Sequence, residues 1–198
     1  HEQIDTFGLD DYLKDVKSVV DSLDEKPILI GHSMGGAIVQ KYLSLHQDDL
    51  SSVILLASAQ VGGIDEDSNL GLFFSDSRNF LRKIRSAHPS EHLSLEKIMN
   101  DNIFSSRFSK EELKVIRKKL TKESNRVKKD LLKPFMTGHE VINIPIHVIG
   151  SYGDHMVTPD ITIKNAQAFD VEPIFINDLC HFMTIDPEWE VAADAINK

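Results

Sequence analysis

The chain has two hydrophobic patterns, that of an amphipathic helix and that of a buried strand. Between residues 6 and 23 apolar side chains recur every three or four positions, which predicts an amphipathic helix. The recurring positions are Leu9, Leu13, Val16, Val20 and Leu23. Continuous apolar runs at 28–30 and 53–57 are typical of buried parallel strands, and a helical pattern fills 37–45 between them. The residues predicted to share one face of that helix are Ile38, Tyr42 and Leu45. This order predicts a strand–helix–strand unit with a right-handed crossover.

The strand pattern stops between about residue 59 and residue 143, where helical patches replace it. These patches cover 72–85, 95–103 and 110–132, and the last has a predicted buried stripe of Leu113, Ile116, Leu120, Val127 and Leu131. Six of the ten phenylalanines lie in this region, and we expect most of them to fill its core and one or two to line a pocket. They are Phe73, Phe74, Phe80, Phe104, Phe108 and Phe135.

Charge separates the same region from its flanks. Residues 59–143 hold 16 of the 22 Lys and Arg but only 12 of the 31 Asp and Glu, so the middle is basic and the flanks are strongly acidic. We therefore predict a core at 1–58, a helical insertion at 59–143 and a return to the core at 144–198. The returning part contains two further strand patterns, at 144–150 and 171–176, with helices at 160–169 and 187–196.

A Gly-x-Ser-x-Gly sequence joins the first predicted strand to the second predicted helix. It runs from Gly31 through Ser33 to Gly35. Strand, tight turn and helix in this order form the context of a nucleophile elbow, in which small residues let the backbone turn sharply and expose the serine. The helix that follows would direct its positive end at the reacting centre, and the Met34 N–H would be one oxyanion donor. Ser33 is therefore the candidate nucleophile.

A serine hydroxyl needs a base within hydrogen-bond reach and a third group that orients the base. Asp154 and His181 each follow a predicted strand, as Ser33 does, and ligands of parallel sheets bind at the carboxyl ends of the strands. The chain order Ser, Asp, His is the order that accompanies this elbow. Asp178 is the rival acid, but it lies only three residues before His181, which is poor geometry for reaching the far imidazole nitrogen.

These residues resemble those of the α/β-hydrolase fold family, specifically its lidded serine esterase and lipase-like group, whose elbow commonly reads Gly-His-Ser-Met-Gly-Gly as residues 31–36 do. The resemblance implies an α/β fold, with a mostly parallel sheet flanked by helices and a helical lid formed by the insertion. It also implies roles for four residues. Ser33 would be the nucleophile, His181 the base and then the acid, Asp154 its orienting carboxylate, and the Met34 N–H an oxyanion donor.

The sequence departs from the family pattern before the elbow. The second oxyanion donor of this fold lies in a loop after an earlier strand, and nothing before Gly31 resembles that loop. The first predicted strand would normally pair with a strand of that upstream part, and an uncovered apolar strand would favour aggregation. We therefore expect these residues to belong to a longer chain that contains the N-terminal strands and the second donor.

The resemblance implies hydrolysis of carboxylic esters through an acyl-enzyme. The phenylalanine-rich composition of the predicted insertion favours small to medium apolar groups on the ester. The same three residues also serve carbon–carbon bond hydrolases, thioesterases and cofactor-free perhydrolases of this fold. A non-catalytic ligand-binding module on the hydrolase scaffold is the alternative from another class. The expected partner is a small-molecule ester, and no cofactor or metal is implied.

The remaining motifs favour structural roles. His88-Pro89-Ser90-Glu91-His92 matches a zinc-peptidase pattern, but the proline and serine predict a helix start that leaves His88 off the helix. Cys180 is interpreted as a packing residue, His155 as a surface residue and His32 as support for the elbow.

Composition excludes some partners and indicates a location. No apolar run reaches membrane-spanning length, and the basic stretch 110–133 lacks the aromatic residues of a nucleic-acid motif, so it predicts a solvated face of the lid. One cysteine suits a reducing compartment, so we expect a cytoplasmic protein; no feature predicts an oligomeric state.

Overall fold

A computed structural model describes residues 4–71, 86, 103–121, 123–134, 136 and 140–198. Its sheet has four parallel strands in the order β1-β2-β3-β4, which is also their order along the chain. The strands are β1 (Ile28–Ser33), β2 (Ser52–Ser58), β3 (Ile146–Ser151) and β4 (Pro173–Ile176). All four lie where the hydrophobic runs predict strands, and every neighbouring pair is parallel.

Six α-helices have both ends within the described residues. They are α1 (Leu9–Val20), α2 (Met34–His46), α3 (Lys110–Lys119), α4 (Asn125–Leu131), α5 (Pro159–Ala168) and α6 (Glu190–Ile196). The prediction of a last helix from residue 187 is wrong by three residues, because Asp186 accepts the Glu188 N–H in a turn before α6 begins. The first helix is also shorter than predicted, since it ends before Leu23, whose side chain is exposed.

The two faces of the sheet pack into two apolar clusters. Val53 and Leu55 of β2 face one cluster, with α1 and α2, while Ile54 and Leu56 face the other. Neighbouring residues of a strand point to opposite faces, so a continuous apolar run fills both clusters. The cluster that contains Ile54 and Leu56 also includes five residues of the predicted insertion: Phe104, Phe108, Leu113, Val127 and Leu131.

β1 is the edge strand of the described sheet, and it is less buried than its apolar sequence predicts for a strand inside a sheet. Ile28 and Ile30 are 58% and 47% exposed. Their side chains share one face of β1, and no described element covers it there. Leu45 of α2 is exposed too, although the helical pattern placed it on the buried face with Ile38 and Tyr42.

The helical patch predicted over 110–132 contains two helices, α3 and α4, rather than one. Leu120 ends α3 in an extended conformation, and its side chain is exposed rather than part of the buried stripe. Ser124 starts α4, because its hydroxyl accepts the N–H groups of Arg126 and Val127. A serine at this position stabilises the start of a helix, because its oxygen accepts N–H groups that have no acceptor within the helix.

Phe104 and Phe108 are buried, as expected for core residues of the insertion. The predicted helix at 72–85, nearly all of that at 95–103, and Phe73, Phe74, Phe80 and Phe135 lie outside the described residues. The division at residues 59 and 143 stays a prediction. Within the described part of the chain, no helix combines the length and the apolar character needed to cross a bilayer.

Candidate active site

Three of the predicted site residues meet at the carboxyl edge of the sheet. Ser33 is the last residue of β1, Asp154 lies three residues after β3, and His181 lies five residues after β4. Since all four strands are parallel, their carboxyl ends lie at one edge, and the three loops that follow converge there.

His181 forms hydrogen bonds to the other two side chains. Its Nε2 lies 2.9 Å from the Ser33 Oγ, and its Nδ1 lies 2.9 Å from the Asp154 Oδ2. The other carboxylate oxygen of Asp154 accepts the N–H groups of Met156 and Val157, at 2.8 and 2.9 Å. Asp154 and His181 are both buried, at 1% and 5% exposure. The carboxylate is thus fixed on both oxygens and faces the imidazole.

The elbow places Ser33 in a conformation that few non-glycine residues adopt. Its φ is 54° and its ψ is −120°, and α2 begins at the next residue. A methyl group at Gly31 would lie 2.6 Å from the Gly35 carbonyl oxygen, so Gly31 is required sterically. The expectation that Gly35 is required is wrong, because a methyl group there would meet nothing within 4 Å; Gly36 has the close approach, 2.0 Å from the Ser58 Oγ.

This difference predicts opposite effects of two neighbouring substitutions on stability. We expect Gly36→Ala to lower the free energy of unfolding by about 1–3 kcal/mol, because the new methyl group would displace Ser58, which Gln40 holds by a 2.7 Å hydrogen bond. Gly35→Ala, the matched control, should leave stability unchanged or raise it by up to about 1 kcal/mol. Urea unfolding of both variants measures this, and equal losses would contradict it.

Asp178, the rival acid, contacts another partner. Its carboxylate lies 3.2 Å from the Arg107 Nη1, and Arg107 also forms an ion pair with the fully buried Asp186, at 2.9 Å. Arg107 thereby contacts residues on both sides of His181 in the chain, Asp178 before it and Asp186 after it. Cys180 is buried beside this network, and burial raises the pKa of its thiol to about 12, which keeps the thiol protonated and agrees with a packing role.

Two further residues position the site: His32, which the sequence analysis interprets as support for the elbow, and Ser151, which has no signal in the sequence. The Nε2 of His32 donates a 2.7 Å hydrogen bond to the main-chain oxygen of His181, and the two imidazole centroids lie 4.9 Å apart. The Ser151 hydroxyl donates to the Leu179 oxygen and accepts the N–H groups of Leu179 and Gly153. His32 therefore holds the histidine loop against the elbow, while Ser151 holds it against the aspartate loop.

The environment of His32 predicts a pH-dependent contribution to stability. Burial, and next the neighbouring His181, lower the pKa of His32 from 6.5 to about 4, so the native state disfavours its protonation. The free energy of unfolding therefore decreases as the pH falls from about 6.5 towards 4, because over this range the unfolded chain takes up the His32 proton and the native protein does not. We expect His32→Gln to lose less unfolding free energy between pH 7 and pH 5 than the unchanged protein does, measured by urea titration at each pH. Equal losses in both proteins would contradict this account.

A cavity of about 200 Å³ opens beside the Ser33 hydroxyl. Its lining combines the elbow with apolar side chains and one acid: His32, Ser33, Met34, Gly35, Leu70, Ile103, Glu123, Met156, His181 and Phe182. Met34 is the first residue of α2, where backbone N–H groups have no acceptor within the helix. Leu70, Ile103 and Glu123 belong to the stretch 59–143, which the sequence predicts to be an insertion, while Ser33 ends β1 and His181 follows β4.

Two other features of the sequence, His155 and the zinc-peptidase-like run at 88–92, remain to be placed. His155 is exposed, as expected for a surface residue. The His88-Pro89-Ser90-Glu91-His92 run lies outside the described residues. Among the residues that are described, no group of three His, Cys, Asp or Glu is arranged to hold a metal ion.

The chain belongs to the α/β-hydrolase fold family, whose sequence model matches residues 1–188. This agrees with the parallel sheet, the elbow and the chain order of the site residues. No curated protein sequence matches the chain.

Solved structures of the same fold include enzymes of several activities. A monoacylglycerol lipase from Paleococcus ferrophilus is 18% identical with a TM-score of 0.61, over 96% of this chain and 74% of the lipase. Polyneuridine aldehyde esterase is 17% identical with a TM-score of 0.64, over 98% and 80% of the two chains. Tomato methylketone synthase I, as an H243A variant with β-ketoheptanoate, is 14% identical with a TM-score of 0.63, over 96% and 77%. At these identities the likeness establishes the fold.

Proposed function

We propose that the protein is a serine hydrolase that cleaves carboxylic esters through an acyl-enzyme. The observation that carries the proposal is the continuous hydrogen-bonded series from the Ser33 Oγ through both nitrogens of His181 to Asp154. These three groups have the types, the order and the contacts of a nucleophile, a base and an orienting acid. The lipase and the esterase among the similar structures support an ester as the substrate.

In the proposed mechanism, His181 removes the proton of Ser33 as its oxygen attacks the ester carbonyl. Asp154 accepts a hydrogen bond from Nδ1, which leaves Nε2 free to take that proton and stabilises the imidazolium that forms. The Met34 N–H donates to the developing oxyanion, where the positive end of α2 also favours negative charge. His181 then protonates the departing alcohol, and a water molecule attacks the acyl-enzyme by the same route.

The size and lining of the cavity favour an ester with small to medium groups. A volume of about 200 Å³ admits a short acyl or alcohol group, and apolar side chains such as Met156, Phe182 and Ile103 surround it. We propose that the insertion acts as the lid, because its residues line the cavity and Arg107 connects it to the histidine loop.

Hydrolysis of short- and medium-chain p-nitrophenyl esters by the full-length protein tests the proposal. We expect turnover, together with covalent labelling by a fluorophosphonate probe that peptide mapping assigns to Ser33. A folded protein that neither hydrolyses these esters nor reacts with the probe would overturn the serine-hydrolase proposal and favour a ligand-binding module.

A further inference from the structure

Glu123 is the one carboxylate among the described residues that line the cavity beside Ser33. The proposed chemistry does not use it. Its neighbours in the lining are mainly apolar, and burial keeps the nearby His32 neutral by lowering its pKa to about 4. No lysine or arginine belongs to the described lining. Among the described residues, the lining of the cavity therefore contains one acidic side chain and no basic one.

The main chain fixes the position of Glu123. The next residue, Ser124, is fully buried, donates its hydroxyl to the Phe7 carbonyl oxygen at 2.5 Å and caps α4. The Asn125 N–H donates to Asp5 at 2.9 Å, so the segment that carries Glu123 is attached to the start of the chain. Glu123 itself is half-buried. The main chain beside Glu123 is therefore held in place next to the cavity that its side chain lines.

The negative charge of Glu123 also affects the pKa of the neighbouring Tyr12. Burial raises the pKa of Tyr12, and the negative charge of Glu123 raises it further. Tyr12 packs against the apolar cluster that contains Leu70, Ile103 and Met156 of the cavity lining. The negative charge of Glu123 disfavours the phenolate form of Tyr12, and the same charge would attract a cationic group bound in the cavity.

We propose that Glu123 is a specificity-determining residue that selects esters carrying an ammonium group. The inference rests on the proposed ester hydrolysis and adds the substrate class. The carboxylate attracts the cation, and the ring of Phe182 in the same lining offers the aromatic surface that ammonium groups favour. An ester that carries a free carboxylate is disfavoured at the same site, because like charges repel.

Pairs of esters that differ only in charge measure this selectivity. On the acyl side, the p-nitrophenyl ester of γ-trimethylammoniobutyric acid is compared with its isostere in which a tert-butyl group replaces the trimethylammonium group. On the alcohol side, butyrylcholine is compared with the corresponding tert-butyl isostere. For at least one pair we expect kcat/KM to favour the cationic ester by roughly 10- to 100-fold, since a partly buried charge pair is only moderately screened.

Three variants assign the preference to Glu123. Glu123→Gln keeps the size of the side chain and removes its charge, so the ratio of the cationic to the neutral ester should fall to within about threefold of unity. Glu123→Lys should reverse the preference. Glu172→Gln is the matched control, because Glu172 is exposed and directly precedes β4, at the opposite edge of the sheet from the site. It should leave the ratio unchanged.

The outcomes separate this inference from the proposed function. If the neutral esters are hydrolysed but the ratio is near unity, or is unchanged in Glu123→Gln, the role of Glu123 is wrong and the hydrolase remains. If no ester is hydrolysed, calorimetric binding of the same pairs to Ser33→Ala decides the inference alone. Tighter binding of the cationic ester, lost on adding Glu123→Gln, supports it; equal binding overturns it. Thermal unfolding of each variant confirms that it is folded.

Discussion

Replacement of Ser33 by alanine is expected to lower kcat for p-nitrophenyl esters by about 10⁴- to 10⁶-fold, with little change in stability. The Oγ is the only atom removed, and its described hydrogen-bond partner is His181. Alanine adopts the φ of 54° no more easily than serine, so the strain of the elbow is the same in both proteins. The loss therefore reports the nucleophile and not the fold.

Initial rates of both proteins at saturating ester and equal protein concentration measure this change, and the fluorophosphonate probe counts the active sites of the unchanged protein. Ser18→Ala is a suitable control, since Ser18 is an exposed serine on α1, and it should retain full activity. Retention of more than about a tenth of the rate by Ser33→Ala would show that another group attacks the ester, because a lost nucleophile costs orders of magnitude more.

Asp154→Asn is expected to lower kcat by about 10⁴-fold while the site keeps its shape. The N–H groups of Met156 and Val157 both donate to one oxygen of Asp154, so the amide oxygen of asparagine would take that position. The amide NH₂ would then face the His181 Nδ1 and donate to it. That arrangement leaves the proton on Nε2, which can no longer accept the proton of Ser33.

Asp178→Asn is the matched control, because the rival carboxylate is exposed and its partner is Arg107. We expect kcat within about threefold of the unchanged protein, since an exposed ion pair contributes little. A measurement of kcat against pH for both variants distinguishes the two acids. A large loss in Asp178→Asn with a small loss in Asp154→Asn would assign the orienting role to Asp178.

Local sequence was sufficient to place the strands and the three residues that meet at the sheet edge. A buried parallel strand is a short apolar run, and the elbow needs a serine between small residues at the junction with a helix. Asp154 and His181 could be predicted because each follows such a run. Prediction from the sequence failed where a steric requirement depends on a residue that is distant in the chain. Gly36, rather than Gly35, is required because Ser58 from β2 lies against it.

The break between α3 and α4 has a related cause. Residues 110–132 have a helical pattern throughout, but Ser124 donates its hydroxyl to Phe7, more than a hundred residues earlier, and its oxygen caps a new helix. The sequence of residues 110–132 alone could not predict the contact between Ser124 and Phe7. The same break brings Glu123 to the cavity.

The sequence by itself determined the fold class, the four strands and the side chains that the site brings together, because hydrophobic periodicity and the elbow are properties of neighbouring residues. Only the tertiary structure decided how the site is supported. The contacts of His32 with the His181 loop, of Arg107 with Asp186 and of Ser151 with Leu179 each join segments far apart in the chain. The local sequence around each residue does not contain its partner, so the geometry of these pairs depends on how the strands and loops pack together.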